Sequence, residues 1–595
     1  MRDNYPASKQ SGLDRAAALM VLAFAVALSL FAIRNNDIWW LLATARRIFE
    51  TKSFITEDPF TFTAGGSPWA PQSWLSALVF YFVHGAASAW GLIAIRAVLV
   101  AVTVGVTLRT LSRTGISWAL AAPVVVVALL NSHTRFLVRA HLFEYLFVAL
   151  LVWFLLTARE RRGISFFVLP VAMQLLWVNM HPSFILGPVL TAIFFAGEWA
   201  AGQTKGTLVR PWSKTGYDWR RVWMLLVLML AACLVNPNPA LLLTQPFGGE
   251  QRELLSRFTL EWRSPFDPAL AQGAFHPYYE FLLGFSALAI LASLKRMTLA
   301  PALLIAAIAI LSFQAHRFRV EFAIVSVPMA LILLRTSPVT ASIRRRLEKR
   351  GLVQYAGIAG AAAAAALIVA TGGRISIGKA VTDRYPEQAF DFVRTEGIAK
   401  RPFNTIGQGS YLVWHLYGER KSFIDGRNFS PDVYRDFLSC QTNDGARRGV
   451  AAKYAVDAFI LPPIETSDAG MGRVHQSLVK DAAWSLCYAG RHAWIYVRDD
   501  QVDGDWLQHN ATRVYHPLTL HNRPMRQEDF VRAREDLERL VARAPDYART
   551  RVDLALVLMA LGERAAAVAQ IDRALEIDPG NPMAIDVQRR IQSSP

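Results

Sequence analysis

The stretch that decides the fold is Ala16–Ile33, an unbroken apolar run, followed at once by Arg34-Asn35-Asn36-Asp37-Ile38-Trp39-Trp40. The run is about long enough for one bilayer crossing. An acid where a first span ends is costly to leave unpaired, which invites a functional reading of Asp37. The alternative is a helix amino-terminal cap, since an amphipathic pattern begins directly after it.

Outward from this stretch the chain divides in composition. Of 595 residues, 53% are hydrophobic, and the mean hydropathy is +0.26. Apolar runs fill residues 16 to 371, whereas 373 to 595 reads as soluble protein. The runs at 16–33, 90–108, 116–131, 142–158, 164–178, 184–201, 222–235, 279–294, 299–313, 321–335 and 352–371 predict about eleven transmembrane helices. The shorter stretch Ser73–Val83 suits an interfacial helix better than a crossing.

With the amino terminus inside, basic residues gather on one side. Arg109 and Arg113, Arg159 to Arg162, Lys205 to Arg221, Lys295 and Arg296, and Arg335 to Arg350 all fall in inside loops. This positive-inside pattern accounts for much of the net charge of +17 and argues against a nucleic-acid partner. It predicts a cytoplasmic amino terminus and exterior carboxyl-terminal domains. The first helix lacks a small-x-small cleavage site and reads as an uncleaved anchor.

The predicted domains are a membrane domain over 1–372, with a first exterior loop at 34–89, an exterior domain over 373–520, and a helical domain over 521–595. The exterior domain reads as a small α/β unit. Pro386 to Thr395 has helical spacing, and Ser422–Ile424, Ala458–Leu461 and Ala493–Val497 are short β-rich runs. Beyond it, Ala555, Gly562, Ala567, Ala574 and Pro579 have the spacing of a tetratricopeptide repeat. Ala533, Leu537, Leu540 and Pro545 form half of a preceding unit at a 34-residue shift. One and a half units are too few to stand alone, so this hairpin is expected to pack on the α/β domain or to dock a protein partner. Cys440 and Cys487 are open to two readings: a disulfide or two buried thiols.

The predicted exterior face collects Asp37, Glu57 and Asp58; His133, Arg135, Arg139, His141 and Glu144; His181; Glu261, Arg263, Asp267 and His276; and His316, Arg317, Arg319 and Glu321. Arginines bind phosphate through forked hydrogen bonds, and a carboxylate can take a proton from an attacking hydroxyl. Arg135, Arg139, His316, Arg317 and Arg319 are therefore the candidate lipid-phosphate ligands, and Asp37 is the candidate catalytic acid. Asp58, His141 and His181 could hold a divalent cation such as Mg or Mn. Bland readings stand beside each: snorkelling arginines, satisfied core histidines, and a turn starter in Asp58 before Pro59. No phosphate-cradling glycine loop, HExxH or GxSxG occurs.

The order of span, acid, interfacial helix, Trp/Pro-rich segment, second interfacial helix, Gly91…Arg96 and basic inside turn resembles the polytopic GT-C glycosyltransferases. Asp37-Ile-Trp-Trp-Leu-Leu-Ala-Thr-Ala-Arg46, Asp58-Pro-Phe-Thr-Phe-Thr63 and Pro68-Trp69…Trp74-Leu75 are similar to a bacterial group of such proteins. The resemblance implies transfer of a sugar from a polyprenyl-phosphate-linked donor to a glycan, lipid or protein acceptor. It also implies a bacterial inner-membrane location and a catalytic or metal-binding role for Asp37. Gly409-Ser-Tyr411…Ile424-Asp425-Gly-Arg427 resembles a region of oligosaccharyltransferase catalytic subunits, but the Trp-Trp-Asp that reads the acceptor there is replaced by Thr405-Ile-Gly-Gln408. Asp425-Gly-Arg427 is accordingly read as a strand-end turn. A non-enzymatic scaffold for envelope assembly is the rival reading. A transporter ranks last, because Arg96 is the main charge within a span.

Overall fold

The computed structural model describes residues 12–204, 208–213, 216–240, 260–267, 276–341, 380–427, 430–520 and 525–593. They form two units: residues 1–54 with 70–382, and residues 55–69 with 383–595.

In the first unit the described helices are α1 Gly12–Ala27, α2 Asp37–Thr51, α3 Trp74–Arg113, α4 Trp118–Ser132, α5 His141–Thr157, α6 Ser165–Met180, α7 Leu186–Gln203, α8 Trp219–Ala232, α9 Pro277–Ser293, α10 Leu299–Gln314 and α11 Arg319–Thr336. Ten of the expected apolar runs are thus helical, while the run 352–371 lies outside the described residues. Among the described residues four helical stretches are long and apolar enough to cross a membrane: Trp74–Arg113, His141–Glu160, Pro182–Gln203 and Pro277–Arg296. Large apolar side chains such as Trp223, Val227, Leu288 and Leu291 face outward, as lipid contact requires.

The Ser73–Val83 segment is helical, as expected, but it runs on into α3. The junction is a kink at Ala87 and Ser88, where Ser88 has φ 51° and ψ −151°. Such a conformation strains a residue with a side chain and needs support from its surroundings. Helix α3 packs on α1, α2 and α5, and α11 packs on α4, α5, α9 and α10. The ends of α1, α4, α6 and α10 therefore share one end of the bundle with the starts of α5, α9 and α11.

The second unit holds a four-stranded sheet of β3 Pro402–Asn404, β4 Ala458–Leu461, β5 Trp484–Ala489 and β6 Trp494–Arg498, the numbering starting after the short parallel pair β1 Val209–Arg210 and β2 Met297–Thr298 of the first unit. The sheet order is β3-β4-β6-β5, with β3 parallel to β4 and the other pairs antiparallel. Ser422–Ile424 is not a sheet strand, contrary to expectation. Only Ser422 makes a bridge, a single parallel one to Thr61, while the Asn404 side chain takes over beyond it, accepting from Phe423 N and donating to Ile424 O. Cys440 and Cys487 are free and buried.

Residues 55–69 of the first long loop fold with this unit. Asp58 and Arg427 form a buried ion pair at 2.7 Å, Arg427 is forked onto Asp425, and its guanidinium stacks on Phe60 and Trp69. The helical hairpin α12 Gln527–Arg543, α13 Ala548–Ala560, α14 Arg564–Ile577 and α15 Pro582–Ser593 packs against the sheet domain, as its small size predicts. Asp536 accepts hydrogen bonds from the backbone N–H groups of Arg513, Val514 and Tyr515, and Arg543 donates to Cys487 O.

Under the sheet lies a hydrogen-bonded row. Leu518 N donates to His516 Nδ1, so His516 carries its proton on Nε2 and donates to Tyr496 Oη at 3.0 Å. Tyr496 then donates to His475 Nδ1, and His475 Nε2 donates to Pro462 O, both at 2.9 Å. Every partner is satisfied with both imidazoles neutral. Burial lowers His475 to about 4, and burial with His475 nearby lowers His516 to about 3. An unfolded chain therefore takes up protons below its ordinary histidine value of about 6.5 while the folded unit does not. Stability present at neutral pH is lost as pH falls from 6.5 toward 4, by about 2 kcal/mol per histidine at pH 5. The expected result is a lower melting temperature at pH 5 than at pH 7 for the full chain in detergent, with the difference reduced in His475→Gln. A melting temperature flat over that range would refute the neutral row.

Candidate functional site

The site is built at the shared end of the bundle in the first unit. Asp37 is the first residue of α2, and Asn36 before it makes no side-chain cap. The Asp37 carboxylate instead pairs with the Arg139 guanidinium. The loop that carries Asp37 is tied down by Asn35 Nδ2, which donates to Val138 O at 3.0 Å, and by Ile33, which bonds to Ala380 and Thr382.

Glu261 is the hub. It accepts from Arg135 and from Arg139 at 3.3 Å, so two arginines and two acids alternate as Arg135–Glu261–Arg139–Asp37. Burial opposes charge on Glu261, but Arg135, Arg139 and Arg317 outweigh it and hold its carboxyl far below the usual range. Burial likewise lowers the Arg139 guanidinium, and Asp37 with Glu261 more than restores it. Glu261 and Arg139 are thus held charged.

Beside it, Arg317 lies over the Trp262 ring at 4.4 Å, and His316 N bonds to Arg263 O. Arg319 opens α11 and directs Nη1 at His316 Nε2, 2.9 Å away, and at His276 Nδ1, 3.4 Å away, while Nη2 bonds to Thr134 Oγ1. Both histidines accept from a cation and are therefore neutral on that nitrogen. Burial first, then Arg319, lowers His316 to about 3 and lowers His276 as well.

Each of the candidate metal ligands is engaged in other contacts within its own unit. Asp58 belongs to the second unit, where Arg427, Thr61 and the backbone N–H of Phe60 occupy its oxygens. His141 Nε2 is spent on Arg135 O at 2.7 Å. His181 Nδ1 lies 2.9 Å from Glu144 Oε2 and 2.7 Å from Ser183 Oγ. Among the described residues no three His, Cys, Asp or Glu side chains gather closely enough for a metal ion. The residues present do not fit the divalent cation that the resemblance implies, and no step is routed through one.

Glu261 and His276, which the sequence places on the predicted exterior face without an assigned role, carry the geometry together with Thr134 and Tyr145, which were not singled out. Glu261 and His276 sit in a loop with no periodicity to mark them. An apolar groove lies between α3, α4, α5 and α11, next to the chain segments that carry Arg135 and Arg319. Its walls include Val100, Val104, Leu129 and Val327, with Ser132 and Tyr145; Phe136 and Val320, the chain neighbours of Arg135 and Arg319, also line it.

Comparison with solved structures shows the fold. The archaeal oligosaccharyltransferase AglB from Archaeoglobus fulgidus, in complex with an inhibitory peptide and a dolichol-phosphate, is similar at a TM-score of 0.52 with 14% identity, over 93% of this chain and 87% of that one. ArnT from Cupriavidus metallidurans bound to undecaprenyl phosphate matches at 0.48 with 12% identity, over 83% of this chain and 98% of that one. The tetratricopeptide repeat family matches residues 525–591. No curated protein sequence matches the chain. The fold is thus similar to that of the oligosaccharyltransferase AglB, and residues 525–591 carry a tetratricopeptide repeat.

Proposed function

We propose that this protein is a membrane glycosyltransferase that moves a sugar from a polyprenyl-phosphate-linked donor to an acceptor on the exterior face of a bacterial inner membrane. The observation that carries the reading is the apolar groove next to the chain segments of Arg135 and Arg319. An isoprenoid tail suits the groove, and a phosphate suits the forked guanidinium groups of those two arginines. The dolichol-phosphate held by AglB belongs to the same ligand class.

In this mechanism Asp37, paired with Arg139, accepts the proton of the acceptor hydroxyl as its oxygen attacks the sugar C1. The bond from C1 to the phosphate oxygen breaks, and the electron pair leaves with the lipid phosphate. Arg135, Arg317 and Arg319 stabilise the charge that develops there. The tetratricopeptide match favours a second role, docking a protein partner, which is compatible with transfer and is also what a pure scaffold would use.

The test is binding of undecaprenyl phosphate to the purified chain in nanodiscs, followed by native mass spectrometry. Leu129→Trp, which fills the groove, is expected to weaken binding at least about tenfold, the cost of blocking a buried apolar contact. Absence of binding, or equal binding by the variant, would remove the groove from the donor site.

A further inference from the structure

We propose that Arg96 is a positioning residue for Asp37, holding the loop between α1 and α2 in the register that delivers the carboxylate to Arg139. The inference rests on the glycosyltransferase reading and adds a residue that touches neither the proposed phosphate site nor the acid.

Arg96 lies in α3, beyond the kink, with no exposed surface. Its Nη2 donates to the carbonyl oxygen of Phe31, and its guanidinium sits 3.9 Å over the Phe31 ring. Phe31 is six residues before Asp37 in the same loop, where α1 has already ended at Ala27. The grip is thus on both the backbone and the side chain of one residue. Further along, Ile33 and Asn35 supply the other two anchors of the loop. Three fixings within five residues leave Asp37 little freedom, and Arg96 is the one nearest the bundle interior.

The price of this arrangement argues that it is not packing alone. Nε and Nη1 of Arg96 are buried and have no hydrogen-bond partner among the described residues. A buried guanidinium with unmet donors is costly, and an apolar side chain of similar volume would fill the space at least as favourably. A purely structural role would therefore be better served by methionine. What methionine cannot do is hold the Phe31 carbonyl.

The experiment compares wild type, Arg96→Met and Arg96→Lys in the full chain in nanodiscs. Arg96→Met is expected to fold and melt within a few degrees of wild type. Its kcat for sugar transfer should fall about 100-fold, as misplacement of a reacting group by about 1 Å does, with KM for the donor unchanged. Arg96→Lys, which keeps one donor, should recover part of the loss.

A second readout is independent of activity. With the three native cysteines replaced by alanine, Ala32→Cys is buried beside Phe31 and should react slowly with a thiol reagent. Adding Arg96→Met should speed that reaction at least tenfold. An unchanged labelling rate would overturn the proposal, as would a loss of kcat fully matched by loss of folded protein. If the wild type transfers no sugar at all, the functional reading fails, while the labelling result still decides whether Arg96 holds the loop.

Discussion

Asp37→Asn is expected to lower the rate of sugar transfer by about a thousandfold or more while the protein still folds and inserts. The carboxylate is the acceptor that faces Arg139 from the loop side, and Glu261 accepts from its other side. Asparagine keeps an oxygen for the Arg139 guanidinium, so the geometry survives. It cannot accept the acceptor proton, and loss of a positioned general base costs about 10²–10⁴-fold. Arg139 retains Glu261, so no buried cation is left alone, and the melting temperature should move little. The measurement is transfer from a polyprenyl-phosphate sugar at saturating donor, beside expression level and a thermal melt. Activity within tenfold of wild type would sink the assignment of Asp37 as base.

How much of this was legible in the sequence follows from the physics of each element. The apolar helices were, because a chain that must satisfy its backbone in lipid writes long uninterrupted runs. Asp37 could be picked out because an acid stands directly after such a run. Its pairing with Arg139 could not, since the two lie about a hundred residues apart in a chain read alone. Glu261 could be gathered onto the same face, but its role as partner of both arginines could not, because its loop has neither period nor motif. The α3 kink falls at Ala87–Ser88, two residues after Gly85, in the break the sequence leaves between Val83 and the run at 90–108.

Asp58 shows the opposite failure. It sits near Asp37 in sequence and within the same long loop, so proximity suggested a shared site. The loop instead gives residues 55–69 to the second unit, where Arg427 meets Asp58 between two aromatic rings. The sequence held half of that answer: Asp425-Gly-Arg427 reads as a turn, and a turn it is. What no local pattern could supply was the partner 369 residues away.

The same motif region yields the largest expected effect on stability, at Gly409. This residue lies in the helix Ile406–His415, where glycine is ordinarily a liability and alanine would be favoured by about 1 kcal/mol. Here sterics reverse the sign. A Cβ at 409 would stand 1.9 Å from Ile424 O and 2.4 Å from Asn404 Nδ2, well inside contact distance of backbone that cannot rotate away. Relief requires the helix to move back from residues 422–426, and that motion breaks the bonds that hold them. Asn404 donates to Ile424 O at 2.7 Å, and Ser410 Oγ accepts from Gly426 N at 2.9 Å. Losing buried hydrogen bonds and overpacking together cost about 3 kcal/mol or more. Gly449 is the control, since it is also helical but has nothing within 4 Å of an added Cβ. Gly409→Ala is therefore expected to lower the denaturation midpoint of the full chain sharply, and Gly449→Ala to raise it slightly. Two shifts of the same sign would show that helix propensity, and not the close approach of Ile424, governs position 409.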